Sequence, residues 1–208
     1  MFLPLVSLFG IRRLETTSRL SWPDHLLMNT KAYVAFLRGV NVGGNTVIKM
    51  SQLKEVFEKL GFSKVVPVLA SGNVVFEAKA KAIDLKQRID MAVEKKLGIR
   101  CTSIVRSASE IFSLIKSNPF RRKTDQIKVQ ITFLGESTTK LASFPARVPA
   151  EDFYIVQVSP SELFSAVDTS RDAGTPELMK LLEKQFGKNI TTRTLNTVEK
   201  IGKLLNSN

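Results

Sequence analysis

The order in which two hydrophobic periodicities alternate between Ala32 and Arg106 is the tightest constraint on this chain. Ala32 to Leu37 (AYVAFL) is a continuous apolar run of strand length, as expected of a strand covered on both faces. Leu53, Val56, Phe57 and Leu60 follow at i, i+3, i+4 and i+7, one face of a helix that Ser51 can cap and Gly61 can end. Val65 to Leu69 and Val74 to Phe76 read as short strands joined by Ala70-Ser71-Gly72-Asn73, whose Gly and Asn tolerate a positive φ. Leu85, Ile89, Val93 and Leu97 step by four along a second helix closed by Gly98, and Thr102 to Arg106 can be a last strand. Strand, helix, strand, strand, helix, strand is the ferredoxin-like βαββαβ pattern, and it predicts one unit over residues 31–106.

A second unit, residues 107–208, imitates the first in element order though not in sequence. Ser107-Ala108-Ser109-Glu110 is a capping box that opens a helix stopped by Asn118-Pro119. Ile127, Val129, Ile131 and Phe133 alternate with polar residues, the signature of a half-buried strand. Tyr154 to Val158 and Glu162 to Asp168 are two further strands. Thr175-Pro176-Glu177 opens a helix with Leu178, Leu181, Leu182 and Phe186 on its core face. Leu195, Val198, Ile201 and Leu205 are the apolar stripe of a terminal helix, placed where the first unit has its last strand. The expected class is α+β: two ferredoxin-like units, the second ending in a helix.

Residues 1–30 read differently. Met1 to Phe9 is apolar, but Arg12 and Arg13 follow the run, where a secretory signal carries its charge first. We expect a leader outside the folded body, disordered or a start assigned too early, with Met28 as the true beginning. No run of 18 apolar residues is present, so a membrane span is not expected. The lone Cys101 fits a reducing, cytoplasmic compartment and a core position, and the single His25 rules out a histidine triad or a multi-histidine metal site. No metal and no cofactor is expected.

Three places could carry chemistry. Arg38-Gly39-Val40-Asn41-Val42-Gly43-Gly44-Asn45 lies between a buried strand and a helix; glycines such as Gly43 and Gly44 let backbone N–H groups approach a ligand, and Arg38 can grip phosphate or carboxylate. The segment is neither a P-loop nor a dinucleotide-binding fingerprint, and a turn needing positive φ would look the same. Ser71 and Asn73 could offer neutral hydrogen bonds or be only a hairpin tip; no base stands by to make Ser71 a nucleophile. On a helix, Arg193, Asn196, Thr197 and Lys200 would share one face at i, i+3, i+4 and i+7, with Thr191 or Thr192 as its cap. That face could receive an anion or be an ordinary solvated surface.

Taken together, Phe36-Leu37-Arg38-Gly39…Asn41…Gly43-Gly44, Leu60-Gly61-Phe62, Ala70-Ser71-Gly72-Asn73-Val74-Val75-Phe76, Asn118-Pro119-Phe120 and Thr191-Thr192-Arg193…Asn196-Thr197-Val198…Lys200 resemble the bacterial family called domain of unknown function 1697, from about Ala32 to Leu204. The resemblance implies an α+β protein of two ferredoxin-like units, a start near Met28, and an uncharacterised function with no catalytic residues to carry over. The chain departs from the family pattern at Thr194-Leu195, where Asn-Trp is usual, and at Val68-Leu69.

The expected function is binding of a small anionic, phosphorylated ligand in a cleft between the units, through Arg38, Asn41, Gly43, Gly44, Asn45, Ser71, Asn73, Arg193, Asn196 and Lys200. The net charge of +12 falls mostly on the first unit, on Lys54, Lys59, Lys81, Lys86, Arg88, Lys95 and Lys96, and supports nucleic-acid binding as the alternative. Strand aromatics of the RNA-binding kind are missing, which weighs against it. A purely structural or interaction module is the third reading. No acid–base constellation assigns a reaction.

Overall fold

The computed structural model of the chain describes residues 29–40, 48–120, 127–137, 147–148, 153–157, 159–168 and 175–207. The leader expectation, up to Met28, and the loop residues Asn41, Gly43, Gly44 and Asn45 lie outside them.

The first sheet contains β1 (Lys31–Arg38), β2 (Ser63–Val68), β3 (Asn73–Ala78) and β4 (Thr102–Ser107), in the order β2-β3-β1-β4 with every pair antiparallel. The central place of β1 explains its unbroken apolar run. Tyr33, Ala35 and Leu37 enter one core, while Val34 and Phe36 enter another on the opposite face. The first core is closed by α1 (Met50–Lys59) through Leu53, Val56 and Phe57, and by α2 (Ala82–Leu97) through Leu85, Ile89 and Val93. Ser51 lies inside α1 rather than capping it: Lys49 is the N-cap, and its backbone N–H donates to Gln52 Oε1 at 3.1 Å. At the end of β4, Ser107 caps α3 (Ala108–Lys116) as expected. Its Oγ accepts from Glu110 N at 3.3 Å, and its own N–H donates to Glu110 Oε2 at 2.7 Å.

The second sheet has β5 (Ile127–Leu134), β6 (Arg147–Val148), β7 (Phe153–Gln157), β8 (Glu162–Asp168) and β9 (Ile190–Thr194), in the order β6-β7-β8-β5-β9, again antiparallel. One face packs under α4 (Thr175–Phe186) through Leu163, Val167, Leu178 and Leu182. The other face joins Val34, Phe36 and Val75 of the first sheet in a shared core, to which α3 and α5 (Leu195–Asn206) add Ile111, Leu114, Val198 and Ile201. Phe36 and Phe133, one from each sheet, stack at 4.1 Å between ring centroids and 19° between planes.

Two expectations are corrected here. Residues 190–194 form a strand, not the start of the terminal helix, so the second half has its own last strand before α5. Thr191, Thr192 and Thr194 are β-branched and favour a strand, the helical apolar stripe begins only at Leu195, and the cap is Thr194, whose Oγ1 accepts from Thr197 N at 3.3 Å. Arg193 therefore shares no helix face with Asn196, Thr197 and Lys200. The short β6 is an element that the sequence pattern did not suggest.

With β9 in place, the two sheets repeat one another. β7-β8-β5-β9 has the strand order of β2-β3-β1-β4, and each last strand runs directly into a capped helix, α3 or α5, which pack together.

Candidate functional site

The repetition extends to single side chains at the seam between the sheets. Arg193, on β9, reaches across to the first sheet: its Nε donates to Asn73 Oδ1 at 2.5 Å, and its Nη2 to the carbonyls of Leu37 (2.8 Å) and Ser71 (3.0 Å). Nη1 donates to Thr191 Oγ1 (2.7 Å) and to the Thr192 carbonyl (2.8 Å). A guanidinium has five N–H donors, and here each has an acceptor inside the protein. Its Cζ lies 5.9 Å from the centre of the Phe36 ring.

Arg106, on β4, makes the counterpart of three of these five hydrogen bonds, and of the ring contact, in the opposite direction. Nε donates to Glu162 Oε1 at 2.6 Å, Nη2 to the Leu134 carbonyl at 2.8 Å and Nη1 to the preceding carbonyl, Val105, at 3.1 Å, with Cζ 6.0 Å from the Phe133 ring. Leu37 thus corresponds to Leu134, Phe36 to Phe133, and Asn73 to Glu162. Each sheet fastens its partner by an arginine on its last strand. One exchange differs: a carboxylate meets Arg106 where an amide meets Arg193, so only the first is an ion pair. Burial without a countercharge pulls the Arg193 pKa down to about 10. It remains a cation at neutral pH, held by oriented neutral dipoles.

The sequence-predicted residues divide sharply. Arg38, Ser71, Asn73 and Arg193 come together at the exits of β1 and β9. Asn73 is fully buried and donates from Nδ2 to the Val68 carbonyl (2.9 Å) and Ser71 Oγ (3.0 Å), which makes it an organiser of the turn. Gly72 has φ +72°, and its carbonyl accepts from Leu37 N at 2.7 Å, which ties the turn to β1. Arg38 donates from Nη1 to the carbonyls of Lys188 (2.9 Å) and Ile190 (3.0 Å) and from Nη2 to Glu183 Oε1 at 2.5 Å, while its side chain remains 31% exposed. Asn196 and Lys200 stand on the exposed face of α5, and the side chain of Arg193 does not join them.

Sequence reasoning missed Glu183, the partner of Arg38, and the Arg106–Glu162 pair. One signal for the latter was legible: Arg106 directly precedes the helix cap Ser107, as Arg193 directly precedes the cap Thr194. Among the described residues, no group of three or more His, Cys, Asp and Glu could hold a metal ion, and no helix is long and apolar enough to cross a membrane.

The pairing of a Leu-Arg-Gly strand exit with a Ser-Gly-Asn turn is now fixed in space, and the family model of DUF1697, a protein of unknown function, matches residues 30–158. The chain belongs to the DUF1697 family. The match stops before Arg193, so the second clamp arginine of this DUF1697 protein lies beyond it. The chain is also similar to a solved structure, that of the conserved bacterial protein SP0830 from Streptococcus pneumoniae. The TM-score is 0.65 at 20% identity, over 85% of this chain and 99% of that one, which is a likeness of fold. No curated protein matches the chain.

Proposed function

We propose that this DUF1697 protein binds a small phosphorylated anion at the exit of β1, through Arg38 and the glycine-rich segment 39–45 that follows, on a scaffold of two ferredoxin-like units spanning residues 31–106 and 107–208. The repeated strand order of the two sheets supports the scaffold, with α3 opening the second unit and α5 closing it.

The observation that carries the ligand reading is the state of Arg38. Its side chain is partly exposed, and, unlike Arg193 with all five donors taken, its three bonds among the described residues, to Lys188, Ile190 and Glu183, leave Nε–H and one Nη2–H for a further acceptor. Arg193, Asn73 and Ser71 then act beside the ligand as the seam that holds the β1 exit, not as its contacts. Cys101, kept as a thiol by burial, suits a reducing, cytoplasmic setting. The nucleic-acid alternative draws on charge alone. Several of those cations are already paired along their own helices, Lys54 with Glu58, Lys59 with Glu55 and Lys86 with Asp90.

Thermal unfolding with inorganic phosphate, pyrophosphate, mononucleotides and sugar phosphates tests the reading. At least one anion is expected to raise the melting temperature of the full chain, Arg38→Ala to remove that rise, and Glu183→Gln to keep it. Absence of any rise, or an undiminished rise in Arg38→Ala, overturns it.

A further inference from the structure

The face of α2 turned away from the core carries a pattern that packing within the first unit does not use. Leu85, Ile89 and Val93 fill the first core. Ile83 and Met91, on the same helix, are 68% and 64% exposed, the two most exposed large apolar side chains among the described residues. Arg88, Met91, Ala92 and Lys95 stand at i, i+3, i+4 and i+7, so they share one face, apolar at its middle and cationic at both ends. With Leu60, the cap that ends α1, they line a groove of about 510 Å³.

The two cations are held in place but not neutralised. Arg88 donates from Nη2 to the Leu60 carbonyl at 2.7 Å, and its Cζ lies 5.0 Å from the centre of the Phe62 ring. Among the described residues, neither Arg88 nor Lys95 has a carboxylate partner, whereas Lys54, Lys59 and Lys86 each have one on their own helix. Glu94, the one carboxylate lining the groove, is taken by Arg100 Nε at 3.1 Å. Charge complementarity therefore selects an apolar occupant with a negative charge at each end. A second copy of the chain would set the same cations against these. Residues 1–28, which precede Thr30 beside Leu60 and Arg88, carry Arg12, Arg13 and Arg19 against Glu15 and Asp24, a net positive charge.

We propose that this groove docks an acidic amphipathic helix of a partner protein. The partner's apolar residues at i+3 and i+4 lie against Leu60, Met91 and Ala92, and its carboxylates at i and i+7 meet Arg88 and Lys95. Seven residues span about 10 Å on either helix, so the charged and apolar contacts fall in register along the whole face. The positive field of the first unit speeds encounter with an acidic segment.

The test is isothermal titration of the full chain with a capped, alanine-based peptide of about 16 residues, carrying Glu at i and i+7 and Leu at i+3 and i+4. Saturable one-to-one binding is expected. Met91→Glu and Lys95→Glu, both at exposed positions, are each expected to weaken it at least tenfold and to keep the parent melting temperature. Control peptides with Lys for Glu, or with Ser for Leu, are expected to bind at least tenfold more weakly. Arg38→Ala is expected to leave peptide binding unchanged, so failure of the anion reading and failure of this one are distinguishable. The proposal is overturned if the peptide does not bind saturably, if a control peptide binds as tightly, or if either groove variant binds as the parent chain does. Binding of phosphatidylglycerol vesicles that Met91→Glu abolishes, with no binding of the peptide, also overturns it and makes the occupant a lipid surface.

Discussion

Replacing Arg193 by methionine tests the seam most directly. The substitution keeps an unbranched apolar stem and removes all five donors. Leu37 and Asn73 are 1% and 0% exposed, so the Leu37 carbonyl and Asn73 Oδ1 are left without a donor and out of reach of water. Each such orphan costs about 1–3 kcal/mol. The Ser71 carbonyl lies in an exposed turn and rehydrates. Loss of the guanidinium also relieves its own desolvation, which offsets part of the damage. The net expectation is a loss of about 2–4 kcal/mol, or roughly 5–15 °C in melting temperature for a chain of this size. Urea unfolding measures it, with an unchanged m-value showing that the denatured state is not the cause. Arg193→Lys keeps the charge but not the planar fork and is expected to lose more than half as much. In double-mutant cycles, Arg193→Met is expected to couple to Asn73→Ala by about 1 kcal/mol or more and to add to Lys200→Ala within about 0.5 kcal/mol. A loss below about 0.5 kcal/mol with no coupling to Asn73 refutes the clamp.

Three further outcomes follow from other contacts. Phe133→Ala removes one ring of the inter-sheet stack from a position with no exposure and is expected to cost about 3–5 kcal/mol in urea unfolding; a loss under about 1 kcal/mol refutes a shared core. Gly72→Ala puts a Cβ at positive φ and 3.2 Å from atoms of Leu37 and Val40, so its melting temperature is expected to fall by several degrees, corresponding to about 1–2 kcal/mol; an unchanged value contradicts the turn geometry. Burial, aided by the Asp90 charge, pushes the Cys101 thiol from 9.0 up to about 12. The native thiol is therefore expected to resist an aromatic disulfide reagent that the unfolded chain consumes at once. Because the unfolded thiol ionises first as pH rises above about 9, the unfolded state binds fewer protons there and stability falls; rapid native labelling counts against the burial.

Much of the architecture was legible in the sequence because spacing along a chain encodes which face is buried. The unbroken apolar run of β1, the alternation of β5, the stripes of α1 and α2 and the capping box of α3 each announce an element, and in each case local geometry and burial agree. The one misread element, residues 190–194, is short and polar, and becomes a strand by pairing with β5, whose partner residues lie about sixty positions earlier. The site residues show the same division. The sequence alone determined which segments carry Arg38, Ser71, Asn73 and Arg193. Only the tertiary structure decided that Arg193 spends three of its five donors on the other sheet while two of Arg38's stay without an acceptor among the described residues, because hydrogen-bond satisfaction depends on which acceptors the folded chain brings near, and no periodicity records that.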